Sequence, residues 1–504
     1  MPETRARNPP AKAETAIALR RSIWPALAIS AAAASDAVLR LPFQHVGLSP
    51  DEGGYAYIAG RWADGARLYS AAAWVDRPQG LMLAYRLLLS LAHSAWGVRL
   101  GALACGVGLT VMLGAIGWMI EGGWTGTAAA AIYAVVGVGP HVQGFTFNGE
   151  LAAALPSSAA VAAALAWRRS RKPAWLVVAG ITGATAVLMK QSGFDGLLVA
   201  CGLVASAAAE RRGRNLATFG AAALVPLAAS AIHGALTGWS GYWFAVAGYK
   251  LSARSGADTG LSARLGALAT SWLRVRPDLE ILTLAALAGV AFTLLPRKRM
   301  WLPTGWLAAA FAGFNTASLY WPHYYVQLIP PLALLAGLAV TRLAARAGTA
   351  LCPALGVAAV AAVVWPVLPY LVHVDGMTPA SKRALVPYYA QYANDQRVAS
   401  AIEKLSTPRT RIYALDSEAD IYFLAKRRSD FPYLWAHPLD EIPGAVQRLR
   451  ALLDSSDHPG LVIVYRSPEA VDPSGRLERI LSEDYRVAER VPSTTITILR
   501  SSSA

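Results

Sequence analysis

Two neighbouring carboxylates, Asp51 and Glu52, lie in the segment Ser49-Pro50-Asp51-Glu52-Gly53-Gly54-Tyr55, just after the first long apolar run. Carboxylates at that depth are costly to bury. They are also useful for chemistry, and two side by side where a lipid headgroup would lie suggest an enzyme that works on a membrane-embedded substrate. A second pair, Asp76-Arg77, follows 25 residues on. An acid beside a guanidinium offers what phosphate chemistry needs, a cation ligand and a bidentate clamp for phosphate oxygens. Three more groups stand at the edges of apolar runs: Asn148-Gly149-Glu150, Lys190-Gln191 and Trp321-Pro322-His323-Tyr324-Tyr325.

Each of these has a plainer reading. Asp51 and Glu52 are equally a pair that starts a surface helix. Asp76-Arg77 reads as a solvated ion pair, which is worth little. Glu150 suits the dipole at a helix start, and Lys190 can snorkel from a helix end. A lone histidine such as His323 is more often structural than a ligand. What favours chemistry is that all five positions map to one side of the membrane. A cluster of acids, cations and aromatics at that depth is a functional site by default.

The elements that must position these residues follow from composition. The chain has 504 residues, 55% hydrophobic and only 15% charged, with a mean hydropathy of +0.37. A soluble domain carries roughly 25% charge. The sequence therefore reads as a polytopic α-helical membrane protein. Eleven apolar runs are candidate spans, near 23–41, 97–120, 124–140, 151–167, 174–190, 193–209, 216–237, 279–295, 302–320, 324–341 and 350–371. The net charge of +15 gathers in short connections, which points to topology rather than to nucleic acid. With residues 1–22 in the cytoplasm, Arg168-Arg169-Ser170-Arg171-Lys172, Arg211-Arg212-Gly213-Arg214, Arg297-Lys298-Arg299, and Arg342 with Arg346 all fall inside. The N-terminus shows no cleavage site, so the first span reads as retained.

Outside lie a long loop at 42–95, a loop at 238–278 and a tail at 372–504. The first carries amphipathic stretches near 55–69 and 81–92, expected to lie along the membrane surface. The tail has strand-like runs at Arg411-Ile412-Tyr413-Ala414-Leu415, Leu461-Val462-Ile463-Val464-Tyr465 and Thr494-Thr495-Ile496-Thr497-Ile498-Leu499, with helical patterns at 396–405 and 442–453. It reads as an extracytoplasmic α/β domain. Cys105, Cys201 and Cys352 sit inside apolar runs with no ligand or disulfide spacing.

Pro50-Asp51-Glu52-Gly53-Gly54-Tyr55, Gly65-Ala66-Arg67-Leu68-Tyr69 and Asp76-Arg77-Pro78 together resemble the first extracytoplasmic loop of the C-type (GT-C) membrane glycosyltransferases. The nearest branch looks like the one holding the aminoarabinose lipid A transferase and relatives of protein O-mannosyltransferases. His323-Tyr324-Tyr325, the following Leu328-Ile329-Pro330-Pro331-Leu332-Ala333-Leu334, and the tail segment Asp420-Ile421-Tyr422-Phe423-Leu424-Ala425-Lys426-Arg427-Arg428 look similar too. The resemblance spans the whole chain. It implies residues 23–371 as the catalytic membrane domain, in the inner membrane of a bacterium. It implies an inverting transfer from a polyprenyl-phosphate sugar to a lipid, glycan or protein acceptor. Asp51 would be the general base. Arg77 would hold the leaving phosphate, and Asp76 would lie near it and bind a divalent cation (Mg, Mn or Zn). Glu52, Glu150, Lys190, His323 and Tyr324 would line the substrate site. Two positions depart from the pattern: Gln79 replaces a second proline, and Tyr249-Lys250 with Arg254 stand where one branch has a histidine and an arginine.

A transporter or flippase of lipid-linked saccharides is the alternative. Transporters place polar groups near the bilayer midplane, at breaks in paired helices. Here the spans are poor in charge and the polar groups gather at one surface. A scaffold with the tail as binding module would leave the loop from Asp51 to Asp76 unexplained.

Overall fold

A computed structural model describes residues 11–206, 209–251, 260–294, 300–316, 319–348, 351–373, 389–415 and 418–502. Arg254 and the Arg297-Lys298-Arg299 cluster lie outside the described residues. The helices that matter for the site are α1 (Ala11–Arg40), α2 (Pro50–Ala63), α3 (Gln79–Leu91), α4 (Ala95–Ile120), α5 (Gly123–Val136), α6 (Gly149–Ser170), α7 (Ala174–Met189), α8 (Asp195–Ala205), α9 (Ala209–Trp243), α10 (Leu261–Leu294), α11 (Trp301–Phe314), α12 (Ile329–Arg346) and α13 (Cys352–Val364). Among the described residues, six helical stretches are long and apolar enough to cross a membrane, and five shorter apolar helices accompany them. The chain is a multi-pass membrane protein. Every one of the eleven apolar runs has a helical counterpart.

The 42–95 connection differs from expectation in one respect. Two helices form there, but only α3 has the face of a surface helix. Leu83, Leu87 and Leu91 recur every fourth residue and are exposed, while Leu81, Met82, Tyr85 and Leu89 are buried. Helix α2 is instead enclosed: every residue from Glu52 to Ala59 is buried. The glycines and alanines of its sequence give it little amphipathic contrast, and the tail covers its remaining face.

The connection between α5 and α6 is non-helical, yet deeply buried. Irregular backbone at such a place needs partners for its polar groups. They come from charged side chains on four elements. Arg40, paired with Asp36 at 2.6 Å, donates to the carbonyls of Gly137 and Gly144. Arg99 donates to the carbonyl of Phe145, and Glu52 accepts from the Phe147 N–H. Asp278 accepts the N–H groups of His141 and Val142 and meets His141 Nδ1 at 2.8 Å. Gly106 lets α1 approach closely, because a Cβ there would lie 2.1 Å from Arg40 Nε.

The tail carries a four-stranded sheet of Ile412–Leu415 (β1), Leu461–Val464 (β2), Tyr485–Arg490 (β3) and Thr497–Ser501 (β4). Its order is β1-β2-β4-β3, parallel between β1 and β2 and antiparallel elsewhere. Three of these strands match the strand-like runs, and helices cover Tyr389–Leu405 and Ala445–Leu453. The remaining strand, β3, escapes a sequence reading because four of its six residues are charged or exposed. Short helix Asp420–Leu424 packs on α2. A Cβ at Gly53 would fall 2.2 Å from that of Asp420, so this glycine admits the tail to van der Waals contact.

Asp395 and Asp420 sit fully buried behind this contact. Burial raises the Asp395 carboxyl to about 7, against the pull of the Tyr465 hydroxyl and Asp420. Burial and the charges of Asp395 and Glu418 push Asp420 well up as well. The folded tail thus holds a proton that the unfolded chain would release. Stability from that proton is full below the ordinary carboxylate range and is lost as pH climbs toward about 7. Asp395→Asn should therefore melt a few degrees higher than the parent at pH values above that point, with the advantage vanishing in acid. Thermal unfolding followed by tryptophan fluorescence at several pH values checks this.

Candidate active site

Local sequence decides what each residue of the Asp51-Glu52 pair does. Ser49 caps α2 with its side chain on the Glu52 N–H, and Glu52 answers on the Ser49 N–H, forming a capping box with Pro50 in the first turn. Glu52 is 0% exposed and also takes the Phe147 N–H at 2.7 Å and the Arg99 guanidinium at 3.0 Å. Its two oxygens are engaged by the protein, away from the substrate position expected of it. Asp51 stands one residue earlier and points elsewhere. Its side chain is 27% exposed, against 15% for Asp76 and 3% for Glu150, so it is the carboxylate an incoming group can reach. Its Oδ1 accepts the indole N–H of Trp435 at 3.0 Å, and its Oδ2 lies 3.7 Å from His323 Nε2.

His323 connects Asp51 to the next acid. Its Nε2 is 3.9 Å from Glu150 Oε1, and its Nδ1 is 3.1 Å from Gln143 Oε1. Gln143 is held there by a left-handed backbone (φ 55°) inside the clamped α5–α6 connection. Glu150 enters in the first turn of α6, capped by Asn148, and pairs with Lys190. Lys190 follows the last residue of α7, with its ammonium 3.8 Å from the centre of the Tyr324 ring. His323 and Tyr324 ride on the short 3-10 turn Pro322–Leu328. That turn is tied to α8 by Gln327, which donates to the Ser192 carbonyl and to Asp195. Asp195 also accepts from Ser157 and Trp306, so one buried carboxylate joins α6, α8, α11 and this turn.

Asp76 and Arg77 form the other half of the cluster. Arg77 pairs with Asp76, which also takes the Tyr249 hydroxyl at 3.0 Å and the Lys250 ammonium at 3.0 Å. A π-helical turn at Phe244–Gly248 directs Tyr249 and Lys250 here. Gln191 secures it by donating to the carbonyls of Asp76 and Val246. Burial alone would raise the Asp76 carboxyl, but Arg77 and Lys250 hold it well below the usual carboxylate range. Gln79 uses its extra hydrogen-bonding capacity on α9, meeting Ser230 and His233. Among the described residues, Arg77 Nε is buried without a hydrogen-bond partner. A buried guanidinium N–H left unpaired is costly, and an anion would satisfy it.

The structure thus gathers Asp51, Asp76, Arg77, Glu150, Lys190, His323 and Tyr324 and leaves Glu52 in an internal network. Sequence reading missed Trp435, Gln143, Arg99 and Asp195 as contributors. Arg99 and Asp195 were legible as ionisable residues inside apolar runs, which are functional or structural by default. Trp435 carries no local signal.

Whether a divalent cation fits can be judged from the donors. Among the described residues, no group of three or more His, Cys, Asp or Glu is arranged to hold a metal ion. Asp76, the expected ligand, already faces two cationic side chains where a metal would sit. The residues present do not fit that ion, and no step is routed through one.

No protein-family model matches the chain, and no curated protein sequence matches it. Solved structures do. ArnT from Cupriavidus metallidurans bound to undecaprenyl phosphate superposes with a TM-score of 0.58 at 17% identity, over 95% of this chain and 98% of that one. The Archaeoglobus fulgidus oligosaccharyltransferase in complex with Zn and sulfate gives 0.56 at 15%, over 93% and 72%. AglB from Archaeoglobus fulgidus, in complex with an inhibitory peptide and a dolichol-phosphate, gives 0.51 at 12%, over 95% and 74%. The chain shares the fold of these structures, the GT-C fold.

Proposed function

We propose that the protein is an inverting glycosyltransferase. It moves a sugar from a polyprenyl-phosphate donor to a hydroxyl of a lipid, glycan or protein acceptor, on the outer face of a bacterial cytoplasmic membrane. The observation that carries this reading is the pairing of a reachable carboxylate, Asp51, with a buried guanidinium, Arg77, that still has an unpaired N–H. Base and anion site belong to one charged cluster at the ends of the apolar helices. That position suits a donor whose lipid tail lies between helices and whose phosphate sits at the membrane surface. It does not suit transport, which needs polar groups at the midplane. The undecaprenyl phosphate and dolichol-phosphate of the structural neighbours agree with the donor class.

The chemistry is a single displacement. Asp51 Oδ2 takes the proton of the acceptor hydroxyl as its oxygen bonds to the anomeric carbon. The bond from that carbon to the phosphate oxygen breaks, and its electrons pass to the phosphate. Arg77, with Lys250 and Tyr249 behind it, stabilises the charge that gathers there. Lys190, Glu150, His323 and Tyr324 line the remaining wall and orient the sugar. Exposed Arg169, Arg171 and Lys172, at the opposite ends of α6 and α7, support a cytoplasmic side away from the site.

Purified protein in lipid, offered a panel of polyprenyl-phosphate sugars, should release polyprenyl phosphate from one donor and pass its sugar to an acceptor. The rate should survive EDTA, since Arg77 and Lys250 stand where a metal would act. No release from any donor would sink the reading, and loss of activity in EDTA restored by one metal would overturn the metal-free assignment.

A further inference from the structure

The base is held by the tail as well as by the membrane domain. Asp51 Oδ1 accepts from Trp435 Nε1–H across a separation of 384 residues. The indole lies against the α2 backbone: a Cβ at Gly54 would fall 2.4 Å from the Trp435 ring, and the Tyr55 ring centre is 5.6 Å away. Trp435 itself is the residue before the short helix Ala436–Glu441, a position where Ser, Thr, Asp or Asn would normally cap. An indole has no acceptor to offer the helix N–H groups, so Trp435 makes no cap bond, and its one donor goes to Asp51.

The backbone that carries Trp435 is pinned on both sides. Phe431 and Leu434 are buried in the shared core. The Tyr433 ring meets Trp74 at 5.0 Å, and Trp74 meets Tyr249 at 5.6 Å, beside Asp76. The Ser429 N–H donates to the Tyr57 hydroxyl on α2. Trp435 therefore has little freedom to leave Asp51 while the tail is docked.

We infer that Trp435 is a positioning residue: its indole N–H fixes Oδ1 of Asp51 so that Oδ2 is turned toward the His323 side to receive the acceptor proton, and the tail thereby completes the site. The inference rests on the reading of Asp51 as the base. A carboxylate with one oxygen anchored loses less freedom on reaching the transition state. The anchor is charge-assisted, the stronger class of hydrogen bond. Its place in the tail means that docking of the tail and readiness of the base are one event.

The test is Trp435→Phe in the transfer assay. We expect kcat to fall about 10-fold or more, the range for a hydrogen bond to a charged group, with the donor KM unchanged. Tyr57→Phe removes a different contact of the same interface and should lower thermal stability with kcat intact. A second readout needs no turnover and no altered fold of Trp435. In protein labelled at the indole nitrogens, the N–H resonance absent from Trp435→Phe should move in Asp51→Asn, where the carboxylate charge is gone. Wild-type kcat in Trp435→Phe would overturn the positioning role while leaving Asp51 as base. An unmoved resonance would overturn the contact itself, whether or not any donor supports transfer.

Discussion

Asp51→Asn should lower the rate of sugar transfer by about 10³-fold, within the range for loss of a positioned general base, while the protein folds and still binds its donor. The amide keeps the shape of the side chain and can still accept the Trp435 N–H on its oxygen. What it lacks is a group that takes a proton at the oxygen facing His323. Because Asp51 lies at the first turn of α2 and the cap is made by Ser49 and Glu52, its charge is not needed to start the helix. The loss should therefore fall in kcat, with donor affinity near the wild-type value. Isothermal binding of the polyprenyl-phosphate donor, set beside single-turnover transfer, separates the two. Full activity in Asp51→Asn would reject Asp51 as the base. A variant that neither folds nor binds would make it a structural residue.

The same substitution at the neighbouring position makes a useful contrast. Glu52→Gln would break the internal network of Ser49, Phe147 and Arg99, so its first effect should be on folding and yield. Two adjacent carboxylates thus have separate duties, and the local reason is the register of one turn. The third helical residue reaches back to the cap, and the second does not.

This division shows what the sequence could and could not disclose. The apolar runs and Asp51, Asp76, Glu150, Lys190 and His323 as members of one cluster were legible, because hydropathy and charge are local properties of the chain. The capping box was also legible, as Ser49 and Glu52 stand three apart, yet a helix start and a base looked equivalent until burial separated them. The enclosure of α2 was not legible, since its Gly53 and Gly54 owe their presence to a surface more than 360 residues away. Lys250 could be read only as one cation in an aromatic loop. The π-helical turn that aims it at Asp76 leaves no mark in composition. Trp435 was invisible for the same reason: its partner is chosen by how the tail docks.

Arg77→Lys carries the second large effect. The substitution keeps the charge and shortens the reach, and it removes the planar fork that binds two phosphate oxygens at once. The unpaired Nε–H disappears with it. Transfer should fall by about 10²- to 10³-fold, comparable to losing one preorganised donor to a developing charge. Part of the loss should appear as weaker binding of the product polyprenyl phosphate, because the leaving phosphate and the released one present the same oxygens. Asp76 should remain charged in the variant, since Lys250 and the Tyr249 hydroxyl still face it. The fold around the loop is then expected to survive, and the defect should not be rescued by added divalent cations. Arg77→Met removes the charge altogether and should be worse than Arg77→Lys in both transfer and product binding. If Arg77→Lys instead transfers sugar at the wild-type rate, the guanidinium is only a partner for Asp76, and the phosphate must be held by Lys250 or Lys190.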